Sequence, residues 1–270
     1  MRAHKLLKQI KILAKEGIIK EQPSLEDYHT VLQCWKYSSF SSQQPTTMSI
    51  TTHVQELLEE ISQPTTRTYE LACSILDADH GLELLFDKNN TTIANRIEPT
   101  LNMYNSVLSA FARAGAAAAS SSSSTTTKDR PQKAAELLNY MKTTNNAKPD
   151  GTSYNTVIEC WTKSNLNGAV DEAENLLNQM KQEKIQRTCD SYTPIIEALA
   201  KVGEAKRAED LLVSLIQDYG VQFDADLKPG IEPFQSVLWA YSKSYHTNAA
   251  QRATSFLSHF NELYLSLIHI

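Results

Sequence analysis

The chain has 270 residues, 41% of them hydrophobic and 21% charged, with 26 Lys and Arg against 31 Asp and Glu for a formal net charge of −5. That apolar share can build a sizeable core, which excludes wholesale disorder, while the apolar runs are too short to span a bilayer. The acidic balance argues against a simple polybasic nucleic-acid binder, and the 4 cysteines form no close pair that would mark a zinc ribbon, a CxxC redox site or a small disulfide framework.

In chain order, the first predicted element lies in 1–24. Ala3, Leu6, Leu7 and Ile10 fall at i, i+3, i+4 and i+7, one stripe of an α-helix. Arg2, Lys5, Lys8, Lys11, Lys15 and Lys20 fit its solvated face. A transit peptide would be richer in Ser and Arg and would stand apart from the pattern that follows. A second kind of helix opens on Tyr28-His29. An apolar pair, Val31-Leu32, comes three residues after the aromatic, then a small and a bulky residue, Cys34-Trp35. After an insertion at 38–49 the first stripe returns as Val54, Leu57, Leu58 and Ile61, and Pro64-Thr65 closes the unit.

The two patterns then alternate, as helix A and helix B of a repeated hairpin. Unit 66–100 is degenerate. Tyr69-Glu70 and Pro99-Thr100 fit, but its helix B reads Gly81, Leu84, Leu85, Lys88, with a charge in the last apolar place. Unit 101–150 has Tyr104-Asn105, Val107-Leu108 and Ala110-Phe111, then Ala134, Leu137, Leu138 and Met141, and closes on Pro149-Asp150. Its Ala/Ser/Thr run at 116–127 buries too little surface to order itself and is expected to be a flexible loop. Unit 151–188 runs from Tyr154-Asn155 through Cys160-Trp161 and Met180 to Arg187-Thr188. Unit 189–230 runs from Tyr192-Thr193 through Ala208, Leu211, Leu212 and Leu215 to Pro229-Gly230. A partial unit, 231–264, carries Phe234-Gln235, Ala240-Tyr241 and Ala253, Phe256, Leu257, Phe260. Proline ends a helix, and Ser, Thr or Asp after it suits the N-cap of the next. Residues 265–270 match a translated transposase adaptor of the kind used in sequencing libraries. They are expected to be a non-native tail on a truncated reading frame.

Most reactive residue types have a plain explanation. Cys34 and Cys160 share their slot with Ala110, Ala198 and Ala240, so both are expected to be core spacers. Trp35 and Trp161 share theirs with Phe111, Leu199 and Tyr241 and are expected to pack. The 7 histidines have no metal-ligand spacing, and acids such as Glu172, Glu174, Glu209 and Asp210 read as solvated helix surface. There is no P-loop, GxGxxG or GxSxG. No catalytic residue, metal ligand or cofactor is expected, nor a membrane or small-molecule partner.

Tyr104-Asn105-Ser106-Val107-Leu108 and Tyr154-Asn155-Thr156-Val157-Ile158, the A-x-x-L-L-x-x-M stripes and the closing Lys148-Pro149-Asp150 together resemble the pentatricopeptide repeat (PPR). The resemblance covers nearly the whole chain with a period of about 35; the W-x2-L-G-x2-Y signature of the related tetratricopeptide repeat is not found. It implies an all-α fold: an α-solenoid of stacked helix-turn-helix hairpins wound into a right-handed superhelix, with helix A lining a groove. It also implies single-stranded RNA as partner, one base per repeat, in a non-catalytic adaptor of RNA processing, stability or translation. The implied location is a mitochondrion or plastid, otherwise the cytoplasm. In the family, bases meet the residue after the aromatic and the residue closing the unit. The pairs here are His29 with Thr65, Glu70 with Thr100, Asn105 with Asp150, Asn155 with Thr188, and Thr193 with Gly230, with Gln235 opening the next. Asn105/Asp150 matches the family code for uridine. The aliphatic wedge usual two residues before the aromatic is replaced by Glu26, Arg67, Asn102, Thr152, Asp190 and Glu232. Arg113, Lys163, Lys201 and Lys243 hold the place that meets RNA phosphates in the family; a basic residue near a helix end also complements the helix dipole. The alternatives are a protein-interaction scaffold of tetratricopeptide type, and the RNA-binding part of a larger enzyme.

Overall fold

The computed structural model describes residues 2–19, 21–39, 47–61, 64–86, 98–118, 129–144, 147–164, 166–222, 225–243 and 248–268. They form α1 (Arg2–Lys15), α2 (Leu25–Ser39), α3 (Thr47–Glu60), α4 (Thr66–Ile75), α5 (Ala78–Phe86), α6 (Leu101–Ala118) and α7 (Arg130–Thr143). There follow α8 (Gly151–Lys163), α9 (Ala169–Gln182), α10 (Cys189–Val202), α11 (Ala205–Gln222), a 3-10 turn (Ala225–Leu227), α12 (Glu232–Lys243) and α13 (Ala249–Ile268). The described residues are all-α, with no strand, and none of their helices is long and apolar enough to cross a membrane. The chain divides into two compact units, Met1–Ala114 with Glu136–Lys148, and Gly115–Ala135 with Pro149–Ile270.

In the first unit α2 packs against α1, α3 and α4. The aromatic and the apolar pair of each helix A form the core: Tyr28, Val31, Leu32 and Trp35 from α2, Tyr69, Ala72 and Cys73 from α4, and Met103, Tyr104, Val107 and Leu108 from α6 are all buried. The helix B stripe contributes Val54, Leu57 and Leu58 from α3 and Leu137, Leu138 and Met141 from α7. Gly81 shows why the stripe begins with a small residue. A Cβ there would lie 2.8 Å from Val107 Cγ2, so α5 can approach α6 only because the side chain is missing.

In the second unit α8 packs on α9 and α10, α10 on α11 and α12, and α12 on α13. Each hairpin repeats the same core: Tyr154, Val157 and Ile158 with Ala173, Leu176 and Met180; Tyr192, Ile195 and Ile196 with Ala208, Leu212 and Leu215. The α10–α11 turn is two residues long. Gly203 closes α10 at φ 87, in the left-handed region that costs glycine least. Ties between repeats are ionic as well as apolar. Arg187 Nη2 meets Asp218 Oδ2 at 2.8 Å, both largely buried, and the Tyr192 hydroxyl donates to the same carboxylate. On the helix B side, Arg207 of α11 pairs with Asp171 and Glu174 of α9 at 2.6 and 2.9 Å.

Several expectations need correcting. The helix α6 runs to Ala118, past the expected loop start at 116, because alanine is the best helix former; the rest of the 116–127 run, from 119 on, lies outside the described residues. Lys88, 40–46 within the 38–49 insertion, and 269–270 of the tail lie outside them too, whereas 265–268 continue α13. Cys160 is buried as expected, but Cys34 is exposed. The outermost stripes are also only half covered. Leu7 and Phe256 are buried, whereas Leu6, Ile10 and Leu257 are exposed, on helices that pack on α2 and on α12.

Candidate nucleic-acid interface

The polar face of helix A is set by where its caps start it. α8 begins after Asp150, whose carboxylate accepts the Ser153 backbone N–H at 2.8 Å, while the Ser153 hydroxyl accepts the Asp150 N–H at 3.2 Å. At α4 and α10 the hydroxyls of Thr68 and Ser191 take the backbone N–H of Thr65 and Thr188, both at 3.1 Å. With the start fixed and Tyr154 and Tyr192 buried, the residues between the buried ones are turned outward.

In the second unit these outward faces enclose an open groove of about 720 Å³. Thr152, Asn155, Thr156, Glu159 and Lys163 line it from α8; Asp190, Pro194, Glu197 and Lys201 line it from α10. Asp150, Thr188 and Asp226 line it as well. Its charge is mixed with an acidic excess: Asp150, Glu159, Asp190, Glu197 and Asp226 stand against Lys163 and Lys201. Lys163 is ion-paired to Glu159, one turn back on the same helix. The repeat pattern does not single out Glu159 and Glu197, although their place four residues before Lys163 and Lys201 is visible in the sequence. Asp226 could not be read in this way, because only the fold brings its turn to the groove.

The anticipated pairs have different fates. Asn155 donates from Nδ2 to the Thr188 hydroxyl at 3.2 Å and accepts from Ser191 Oγ at 2.6 Å. Glu70 Oε1 accepts from the Thr100 hydroxyl at 2.8 Å and from Asn102 Nδ2 at 3.3 Å. His29 reaches Thr65 only through Thr68: its Nε2 lies 2.8 Å from Thr68 Oγ1, which lies 3.1 Å from Thr65 Oγ1. His29 is 3% exposed and its Nδ1 has no hydrogen-bond partner among the described residues; Glu26 Oε1 stands 4.0 Å away. Burial, and then Arg67, hold its pKa below the usual histidine value. Thr193 donates back to the Cys189 carbonyl at 3.0 Å instead of reaching towards Gly230, which precedes α12. Gln235 is exposed on α12. Asn105 and Asp150 belong to different units.

Of the basic residues, Arg113 is exposed on α6 and Lys201 on α10, and Lys243 lies with Nζ 3.8 Å from the centre of the Trp239 ring. The residues in the wedge place, Glu26, Arg67, Asn102, Thr152, Asp190 and Glu232, are all exposed. Cys160 is buried and its thiol is pushed up to about 12 by that burial. The described residues contain no His/Cys/Asp/Glu group able to hold a metal ion.

Residues 136–202 match the family model of the pentatricopeptide repeat domain. Among curated proteins, the chain is 23% identical over 158 residues to pentatricopeptide repeat-containing protein At3g53170 of Arabidopsis thaliana, covering 58% of this chain and 30% of that protein. It is 27% identical over 139 residues to the chloroplastic At5g48730 of the same plant, covering 52% and 23%. The chain therefore spans less than a third of either relative. Among solved structures it is similar to the pentatricopeptide repeat protein PPR10 in complex with an 18-nt psaJ RNA element, at a TM-score of 0.53 and 19% identity over 98% of this chain and 38% of that one. That likeness carries the fold, an all-α solenoid of helical hairpins.

Proposed function

We propose that this pentatricopeptide-repeat protein binds single-stranded RNA along the outward face of its helix A elements, as a non-catalytic adaptor in organellar RNA processing, stability or translation. The observation that carries this reading is Asn155. Its amide is held by Thr188 and Ser191 at the edge of an open groove. An amide offers two donors and two lone pairs, so one of each is left for the edge of a base. Lys163 and Lys201 line the same groove one helical repeat apart, which supports a role in meeting the strand's phosphates. PPR10 was solved with RNA, which supports an RNA partner, and one curated relative is named as chloroplastic, which supports an organellar location. The relatives' greater length leaves room for a catalytic domain elsewhere in a longer protein.

The acidic excess of the groove favours a second reading, a scaffold that takes a basic or polar protein segment. One titration separates them. A mixed pool of labelled single-stranded RNA is titrated with the full chain at roughly 50 and 200 mM salt. RNA binding predicts an affinity that falls with salt, by a log–log slope of about 0.7 per phosphate contacted, and that weakens when Lys163→Glu and Lys201→Glu are combined. No binding at low salt, or binding indifferent to that pair of substitutions, rejects RNA in favour of the scaffold.

A further inference from the structure

The last helix A carries a residue unlike its counterparts. Counting five residues on from the helix's aromatic, α8 places Glu159 and α10 places Glu197, both on the groove. The same step from Phe234 on α12 reaches Trp239. α12 packs against α10, and its inward face is filled by Phe234, Val237, Ala240 and Tyr241, all buried. Trp239 is turned the other way and is 44% exposed, while Trp35 and Trp161 are 5% and 8% exposed. An indole left this open gives up much of the free energy that its burial would supply. Lys243, one turn on, lies over the ring at 3.8 Å, in the register of Lys163 and Lys201.

We infer that Trp239 and Lys243 form a nucleobase-stacking platform, on which an unpaired base takes the place of the Lys243 ammonium and lies flat on the indole while the displaced ammonium meets the phosphate of the same or the next nucleotide. Aromatic faces hold bases of any sequence because every base has a π-face, and a cation beside the ring adds to the attraction. The platform is distinct from the hydrogen-bonding pairs on the earlier helices: it anchors the strand without reading its sequence. This inference rests on the RNA reading above.

The test uses the full chain and a short single-stranded RNA, alongside the same strand with abasic sites. Stacking predicts quenching of the emission of the one solvent-open tryptophan on RNA binding, and a loss of affinity in Trp239→Ala of roughly 5- to 100-fold. Trp239→Phe, which keeps a stacking face, should retain most of the affinity, and the abasic strand should not distinguish wild type from Trp239→Ala. Far-UV circular dichroism checks that both variants fold. RNA binding that leaves the tryptophan emission unchanged and is equal in wild type and Trp239→Ala overturns the platform while the RNA reading stands. No RNA binding by the wild-type chain at low salt overturns both, and an emission change on adding a protein partner in its place would assign Trp239 to the scaffold reading.

Discussion

The hairpins built on α2 and α4 and those built on α8 and α10 make one contact with different residues. In both, the residue after the aromatic of one helix A reaches the hydroxyl of the third residue of the next: His29 to Thr68, Asn155 to Ser191. The asparagine is short, so its amide stays at the groove edge, half-buried, with hydrogen-bonding capacity to spare. The imidazole is bulkier, fills the space between the helices and buries an unsatisfied nitrogen. Repeat register fixes which residues meet; side-chain size and chemistry decide whether the meeting leaves a readable edge. The ties between repeats differ as well. The second unit has the Arg187–Asp218–Tyr192 bridge in its interior. The first has Lys8–Glu56 at 3.7 Å and Lys11–Glu60 nearer its surface.

The largest effect expected from breaking this comparison is at the interior tie. Arg187→Ala leaves Asp218 largely buried without its cation, and should cost about 3 kcal/mol, read as a fall in the urea midpoint with the slope unchanged. A full set of RNA contacts is not needed for that measurement. Next is the close approach in the first unit. Gly81→Ala should destabilise by about 1–2 kcal/mol, even though alanine is the better helix former, because Val107 has to move; a stabilised variant would show that α5 and α6 can separate freely. At the caps, Asp150→Ala should cost about 1 kcal/mol, and Asp150→Asn, which keeps an acceptor, much less.

The histidine supplies a pH test. The folded chain holds His29 below the ordinary 6.5, with burial the main cause, so the unfolded chain takes up the proton first as pH falls. The stability linked to His29 is therefore whole above about 6.5 and is lost as pH drops below that value towards the folded pKa. Urea midpoints at about pH 7.5 and 5.5 should differ more in wild type than in His29→Gln. Equal shifts would show that other groups carry the pH dependence. The smallest effect is expected at the surface. Lys8→Ala should change stability by less than about 1 kcal/mol, and by less still in high salt.

Much of this was legible in the residues. The i, i+3, i+4, i+7 stripes, the aromatic-led helices and the Thr65, Asp150 and Thr188 caps all lie where their spacing put them, since each depends on neighbours within one or two turns. The covering of the stripes was not legible at the chain's first and last helices. Leu6 and Leu257 have the same local pattern as Leu137 and Leu177, and only the packing around them separates exposed from buried. Nor does spacing alone show that Pro194 sits inside α10 without ending it. It is the sixth residue of α10, so the helix forgoes one backbone hydrogen bond there, and the buried Ile195, Ile196 and Leu199 that follow keep it packed.

The sequence by itself determined the repeat, the helices and which residue of each helix A is turned outward, because a 3.6-residue period and a capped start leave little freedom over a dozen residues. Only the tertiary structure decided what those outward residues meet. It turned His29 inward and left Asn155 at an edge, paired Lys163 with Glu159, and carried Asp226 from a distant turn into an acidic groove. It also left Trp239 open where its counterparts on α8 and α10 are glutamates in contact with that groove. The reason is physical: local geometry is set by short-range sterics and hydrogen bonds, whereas exposure and electrostatic environment depend on every element that packs nearby.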